Sequence, residues 1–110
     1  MTIPSFSEIP FPFLDFVSDK KTHVINDVVN YLADFFKLSK EDRTKLKPSS
    51  DREPLFNNRV HWAKYYLKQA RLLESPKKGE IKITNRGLNL LKKGIKEMDR
   101  TYLIKISLDE

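Results

Sequence analysis

The chain has 110 residues and a formal net charge of +6, from 21 Lys and Arg against 15 Asp and Glu, and this length suits one domain with its own core. The absence of Cys excludes disulfides and thiolate metal sites, and no apolar run is long enough to span a membrane. The first ten residues have neither the basic n-region nor the apolar h-region of a secretion signal, so we expect a cytoplasmic protein.

The first predicted element is a helix that ends near Val17. The segment that begins at Pro4 is rich in aromatic and apolar residues. Pro10 and Pro12 lack backbone donors and clash with a preceding turn. The helix is therefore expected to be broken or to start late.

A second and a third helix follow. The second is predicted to run from Ile25 to near Lys37, because apolar residues recur on one helical face. Ser39 and Asp42 resemble a capping box that starts a short helix through about Leu46. The apolar face of the second helix consists of Ile25, Val28, Val29, Leu32 and Phe36.

A longer amphipathic helix is predicted after a loop over residues 47–53. Pro54 fits its first position, where a missing N–H costs nothing. An apolar line follows the helix, and we expect Phe56 and Trp62 to be largely buried. The line consists of Phe56, Val60, Ala63, Leu67 and Ala70, and it is widened on one side by Leu55, Trp62 and Tyr66.

A polar stripe on the same helix faces solvent or a ligand. Its members recur at spacings of three and four residues. Aromatic residues at helical spacing usually belong to the core, so only Tyr65, on the polar side, is kept as a candidate for contact with a base. The stripe consists of Asn57, His61, Lys64, Lys68 and Arg71, with Asn58, Tyr65 and Gln69 beside it.

After this helix the apolar period changes to two, which predicts a β-hairpin. Ile81 and Ile83 point to one side and Glu80 and Lys82 to the other, as in a half-buried strand. Gly79 can supply the positive φ that a tight turn needs.

Thr84 is predicted to cap a further helix with an inner face of Leu88, Leu91 and Ile95. Residues 1–96 are expected to form one domain. Residues 97–110 are expected to be a C-terminal tail or a short helix.

Positive charge is concentrated in the second half of the chain. Residues 1–37 hold 3 basic and 5 acidic groups, a net charge of −2, whereas residues 59–96 hold 11 basic and 2 acidic groups, a net charge of +9. Such asymmetry is typical of proteins that contact phosphates, although surface lysines also serve solubility alone.

The sequence does not favour catalysis. Glu80 and Lys82 form the E-x-K half of a metal-nuclease motif, but about one such match is expected by chance and no paired Asp lies at a convincing distance. His23 and His61 are far apart in sequence, and neither has a second His at helical metal spacing such as H-x-x-x-H. We therefore predict a non-catalytic chain with no metal site and no cofactor.

Helices followed by a basic helix and a basic hairpin form the element order of a winged helix-turn-helix. The predicted fold class is mainly α with a small β-hairpin wing, an α+β arrangement. In such domains the exposed side of the long helix enters the major groove and the hairpin reaches phosphates. The predicted groove helix covers residues 54–71, and the predicted wing covers residues 72–84.

The second half of the chain contains a specific combination of short motifs: Asn58-Arg59-Val60, Trp62-Ala63-Lys64, Tyr66-Leu67, Leu72-Leu73, Ser75-Pro76 and Ile83-Thr84. Through these motifs the chain resembles the N-terminal winged-helix domain of Mrr-type restriction system proteins, and the similarity covers nearly its whole length. In that family the domain binds DNA and precedes a nuclease domain that cleaves foreign, often methylated, DNA. The resemblance therefore implies a linker and a nuclease domain after residues 97–110, outside this chain. Family members usually have Ala-Gly where this chain has Ala70-Arg71, so the helix end lacks its permissive Gly.

The expected partner is double-stranded DNA, including methylated DNA, and homodimer formation is left open. Two alternatives also stay open: a winged helix used for protein association or dimerisation, and a stand-alone transcriptional regulator. Arg59 has two predicted roles, contact with a phosphate or an anchor to Asp51 or Glu53. The residues predicted to contact DNA are Arg52, Asn57, Asn58, Arg59, His61, Lys64, Tyr65, Lys68, Lys77, Lys78 and Lys82.

Overall fold

A computed structural model describes residues 3–46 and 54–108. Within these ranges it contains six α-helices and one antiparallel sheet of three short strands in the order β1-β3-β2. The predicted class, mainly helical with a small β-hairpin, is confirmed. The elements are α1 (Pro10–Phe16), β1 (His23–Val24), α2 (Ile25–Phe35), α3 (Lys40–Thr44), α4 (Leu55–Gln69), β2 (Leu73–Glu74), β3 (Glu80–Ile83), α5 (Asn85–Lys92) and α6 (Arg100–Leu108).

The first helix is broken, as predicted. A 3₁₀ turn over Phe6–Glu8 precedes α1, which begins at Pro10. Pro10 and Pro12 both lie in the first turn of α1, where backbone N–H groups have no partner within the helix. The prolines therefore position the start of the helix without costing a hydrogen bond.

Helices α2 and α3 also agree with the sequence pattern. Helix α2 ends at Phe35, and Lys37 in the turn after it has the left-handed conformation (φ 56°). Ser39 Oγ accepts from the Asp42 N–H, and the Asp42 carboxylate accepts from the Ser39 N–H, so the predicted capping box is confirmed. Helix α3 ends at Thr44, slightly earlier than expected. The predicted loop over 47–53 lies outside the described residues.

Helix α4 is the central element of the domain and contacts α3, α6 and β2. Pro54 is its N-cap residue, so the helix begins at Leu55, one residue later than predicted. The predicted apolar line is confirmed, because each of its members is fully buried. Those members are Phe56, Val60, Ala63, Leu67 and Ala70.

The expectation that Trp62 is buried was wrong, since its exposed fraction is 44%. Trp62 follows Phe56 by six residues, which places it about 120° around the helix from the buried line. Tyr66, about 80° from that line, is half-buried and lies beneath the Trp62 ring at a centroid distance of 6.1 Å. Neighbouring elements therefore cover Tyr66 but do not reach Trp62.

The hairpin has the predicted alternation and turn. Ile81 and Ile83 are buried, Glu80 and Lys82 are half-buried, and Gly79 has a φ of 81°. Strand β1 was not predicted. It adds a third strand by pairing His23 and Val24 with Ile81 and Glu80.

The last two helices complete the core. Thr84 Oγ1 accepts from the Gly87 N–H, so the predicted cap of α5 is confirmed. Leu90 is the most buried leucine of α5, while the predicted inner residues Leu88 and Leu91 are half-buried. The tail forms α6, which packs on α4 and buries Leu103.

Candidate nucleic-acid interface

The predicted polar stripe lies along the outer side of α4. Asn57, His61 and Lys64 are half-buried, and Lys68 is exposed one turn further on. Helix α4 contains no Asp or Glu, so no carboxylate within the helix offsets the charge of its lysines. The stripe therefore presents hydrogen-bonding groups first and positive charge towards the helix C-terminus.

Electrostatics within the stripe favour an anionic ligand. Partial burial lowers the pKa of Lys64, and the charge of Lys68, one turn away, lowers it further. The ammonium of Lys64 thus lies in a site where its positive charge is under-compensated. A phosphate placed beside the two lysines would reduce this repulsion.

Arg71, the last predicted member of the stripe, lies beyond the helix end in the left-handed conformation with a φ of 64°. The Leu72 N–H donates to the Leu67 carbonyl at 2.9 Å, and the Arg71 N–H donates to the Lys68 carbonyl at 2.9 Å. These bonds form a Schellman motif, which usually has Gly at this position. Arg71 therefore adopts the backbone conformation that Gly would adopt more easily.

The tip of the hairpin presents a second group of cations. Lys77 and Lys78 are exposed, and the turn is held by a bond from the Glu80 N–H to the Lys77 carbonyl at 3.0 Å. Ser75 Oγ donates to the Glu80 carbonyl at 2.8 Å. Lys82 lies further along the hairpin, in cross-strand register with Glu74. The tip lysines are thus presented on an ordered turn.

Arg59 has a contact that the sequence did not indicate. Its guanidinium donates to the Pro4 carbonyl at 2.7 Å and to the Ile3 carbonyl at 3.4 Å. Arg59 therefore ties the start of α4 to the N-terminal segment. Its contact with DNA stays a prediction, while its two predicted loop partners and Arg52 lie outside the described residues.

Helix α3 adds cationic residues that the sequence analysis missed. An open groove of about 520 Å³ lies between α3 and the first turns of α4. Lys40 and Arg43 line it on the α3 side, and Asn57 lines it on the α4 side. Arg43 also donates to Asn30 Oδ1 on α2 at 2.6 Å, which holds its guanidinium at the groove. Sequence spacing alone could not reveal this proximity, because the two helices are joined by residues outside any periodic pattern.

A second exposed side of α4 is aromatic. The exposed fractions of Trp62 and Tyr65 are 44% and 48%, and their rings are nearly perpendicular at a centroid distance of 5.5 Å. Together with His61 they line an open apolar pocket of about 360 Å³. Trp62 is therefore an exposed residue that sequence reasoning assigned to the core.

Neither a metal site nor a membrane span emerges from residues 3–46 and 54–108. These ranges contain no group of three or more His, Asp or Glu side chains arranged to hold a metal ion. None of the helices that they form is both long and apolar enough to cross a bilayer.

These features define a small, mainly helical domain with a basic helix next to a basic hairpin. The model of the Mrr N-terminal domain family matches residues 6–93 of the 110-residue chain. The chain therefore belongs to the Mrr N-terminal domain family, and the resemblance noted in the sequence is confirmed. Searches of curated proteins and of solved structures found no match.

Proposed function

We propose that this chain is a non-catalytic, DNA-binding winged-helix domain that directs a restriction system protein to duplex DNA. Helices α3 and α4 would form the helix-turn-helix, and β2 with β3 would form the wing. The sheet supports this assignment, because β1 precedes the helix pair and joins the hairpin through β3. Family membership supports the association with restriction systems.

The observation that carries the proposal is an α4 without carboxylates that contacts the hairpin strand β2, together with exposed lysines at the hairpin tip. Duplex DNA presents regularly spaced phosphates, and Lys or Arg side chains that neutralise them supply much of the affinity. Lys64 and Lys68 would contact phosphates flanking the groove, and Lys77 and Lys78 would contact the backbone beside it.

Base reading is assigned to the start of α4. Asn57, Asn58 and His61 lie in its first two turns, the part of a recognition helix that meets base edges in the major groove. An Asn amide can pair with N6 and N7 of adenine through two hydrogen bonds. The cations of α3 beside Asn57 would hold the helix start against the backbone.

The wing is tested by a double variant, Lys77→Ala with Lys78→Ala. We expect weaker binding to all duplexes alike, because phosphates carry no sequence information. The slope of log affinity against log salt concentration should become shallower by about 1 to 2. The measurement is a fluorescence-anisotropy titration across a salt series, with methylated and unmethylated duplexes in parallel.

The matched control for the wing is Lys92→Ala with Lys93→Ala, which removes the same charge from two adjacent exposed lysines at the end of α5. Helix α5 packs against α1, and its two terminal lysines are not part of the hairpin. Equal slopes in both double variants would show that net charge, and not the wing, governs binding. No salt-dependent DNA binding in the wild type would favour protein association instead.

Base reading is tested with Asn57→Ala. We expect discrimination at particular base pairs to fall by about 1–3 kcal/mol each, while affinity for unrelated duplexes and the melting temperature change little. Competition binding against a randomised duplex library measures the preference. Asn89→Ala on α5 is the control, and a uniform loss across all sequences in Asn57→Ala would reassign Asn57 to the backbone.

A further inference from the structure

The aromatic side of α4 is exposed although it contains the largest apolar side chain of the protein. Trp62 and Tyr65 each expose nearly half of their surface, and with His61 they line an open apolar pocket of about 360 Å³. Single exposed aromatic residues are common, but adjacent ones that form a contiguous apolar patch often mark an interaction site. The groove-helix proposal uses His61 and Tyr65 at most as edge contacts, so it leaves the ring faces without a role.

The two exposed rings are held in place from below. Tyr66 contacts Trp62 at 6.1 Å and Tyr65 at 5.3 Å between ring centroids, and Phe6 meets the Tyr66 ring edge-on at 5.7 Å. Because Trp62 and Tyr65 are nearly perpendicular, they form a corner with one ring as floor and the other as wall. Such a preorganised corner loses little conformational entropy when a flat ligand binds.

The charges around the corner indicate what kind of flat ligand fits. Lys64 and Lys68 lie on the adjoining stripe, and α4 has no carboxylate. A hydrophobic protein segment would cover the rings but leave these cations uncompensated. A nucleobase combines a flat apolar face with an anionic backbone, so it matches both the rings and the lysines.

We propose that the corner of His61, Trp62 and Tyr65 binds an unpaired nucleobase, which stacks on Trp62 while its backbone lies along Lys64 and Lys68. A base inside a duplex cannot do this, because its neighbours cover both of its faces. The ligand is therefore an extrahelical or single-stranded nucleotide next to the duplex. This inference rests on the proposed DNA binding and adds a preferred DNA structure to it.

Trp62 is the only tryptophan of the chain, so tryptophan emission reports directly on the corner. The test compares a duplex that carries one unpaired thymidine with the fully paired duplex of the same sequence. We expect the unpaired base to quench the emission of Trp62 and to bind about tenfold more tightly than the paired duplex. Anisotropy of labelled DNA gives the same affinities independently.

Variants then locate the effect. Trp62→Ala should lose the tenfold preference and keep its affinity for the paired duplex, whereas Trp62→Phe should retain part of the preference through its smaller ring. Phe35→Ala is the matched control, because Phe35 is an aromatic residue with an exposed fraction of 52% on α2. Circular dichroism of each variant verifies its fold.

Three outcomes would overturn the inference. Salt-dependent binding with equal affinity and equal quenching for both DNAs would refute the base site and leave the DNA-binding proposal standing. Absence of binding to either DNA would refute both. Sedimentation that shows a dimer dissociated by Trp62→Ala would assign the corner to contact with a second copy.

Discussion

Replacing Phe56 by Ala is expected to lower the free energy of unfolding by about 3–5 kcal/mol, whereas Trp62→Ala is expected to lower it by only about 1 kcal/mol. Phe56 is fully buried and meets Phe36 edge-on at a centroid distance of 6.4 Å. Its removal leaves a cavity that the packed helices cannot close. Trp62 loses its contact with Tyr66 but creates no cavity, because solvent already reaches its ring.

Urea unfolding followed by circular dichroism measures both variants, since Trp62→Ala has no tryptophan left to report by fluorescence. The pair is a matched comparison, because both residues are aromatic and both lie on α4. Similar losses for the two variants would mean that Trp62 is packed into the core in solution. That result would also remove the basis for a base-binding corner.

The contrast between Phe56 and Trp62 shows which part of the burial of α4 its periodic pattern could predict. Periodicity indicates the direction in which a side chain points, and the line from Phe56 to Ala70 was correct for that reason. It does not indicate how far neighbouring elements extend around the helix. The cover over Tyr66 comes from Phe6 and the N-terminal turn, 60 residues earlier in the chain, and it stops short of Trp62.

Other features were missed because they leave no local signal. Strand β1 has two residues, too few to show an alternation, and it exists because β3 offers it a free edge. The bond between Arg59 and the Pro4 carbonyl joins positions 55 residues apart. Arg43 and Asn57 come together through the packing of α3 on α4, and neither residue type predicts the other.

The helix end at Arg71 illustrates the reverse case, in which the structure keeps a conformation that the local residue disfavours. A left-handed residue closes the Schellman motif, although a side chain other than that of Gly makes this conformation less favourable. The motif is retained because Leu72 must enter the core directly after the turn, and Leu72 is fully buried. Tertiary packing thus overrides the local preference at the junction between α4 and the hairpin.

That junction depends on a close approach by α5. The Leu72 carbonyl accepts from the Thr84 N–H at 3.1 Å, and Thr84 Oγ1 donates to the Arg71 carbonyl at 2.7 Å while it accepts from the Gly87 N–H. These bonds hold the Leu72 carbonyl in place directly beside Gly87. A Cβ at position 87 would overlap the Leu72 carbonyl oxygen and lie 2.8 Å from Ile83 Cγ1.

Gly87→Ala is therefore expected to lower the free energy of unfolding by about 3 kcal/mol, since the backbone that it strikes cannot move without breaking these bonds. The sign of this change in the free energy of unfolding makes the test decisive, because Gly→Ala within a helix otherwise stabilises by about 0.5–1 kcal/mol. Asn89→Ala, an exposed substitution on the same helix, measures the gain from helix propensity alone. Urea unfolding of both variants gives the comparison. Stabilisation by Gly87→Ala would mean that α5 does not pack against the junction of α4 and the hairpin as the structure shows, and the wing would then lack its support.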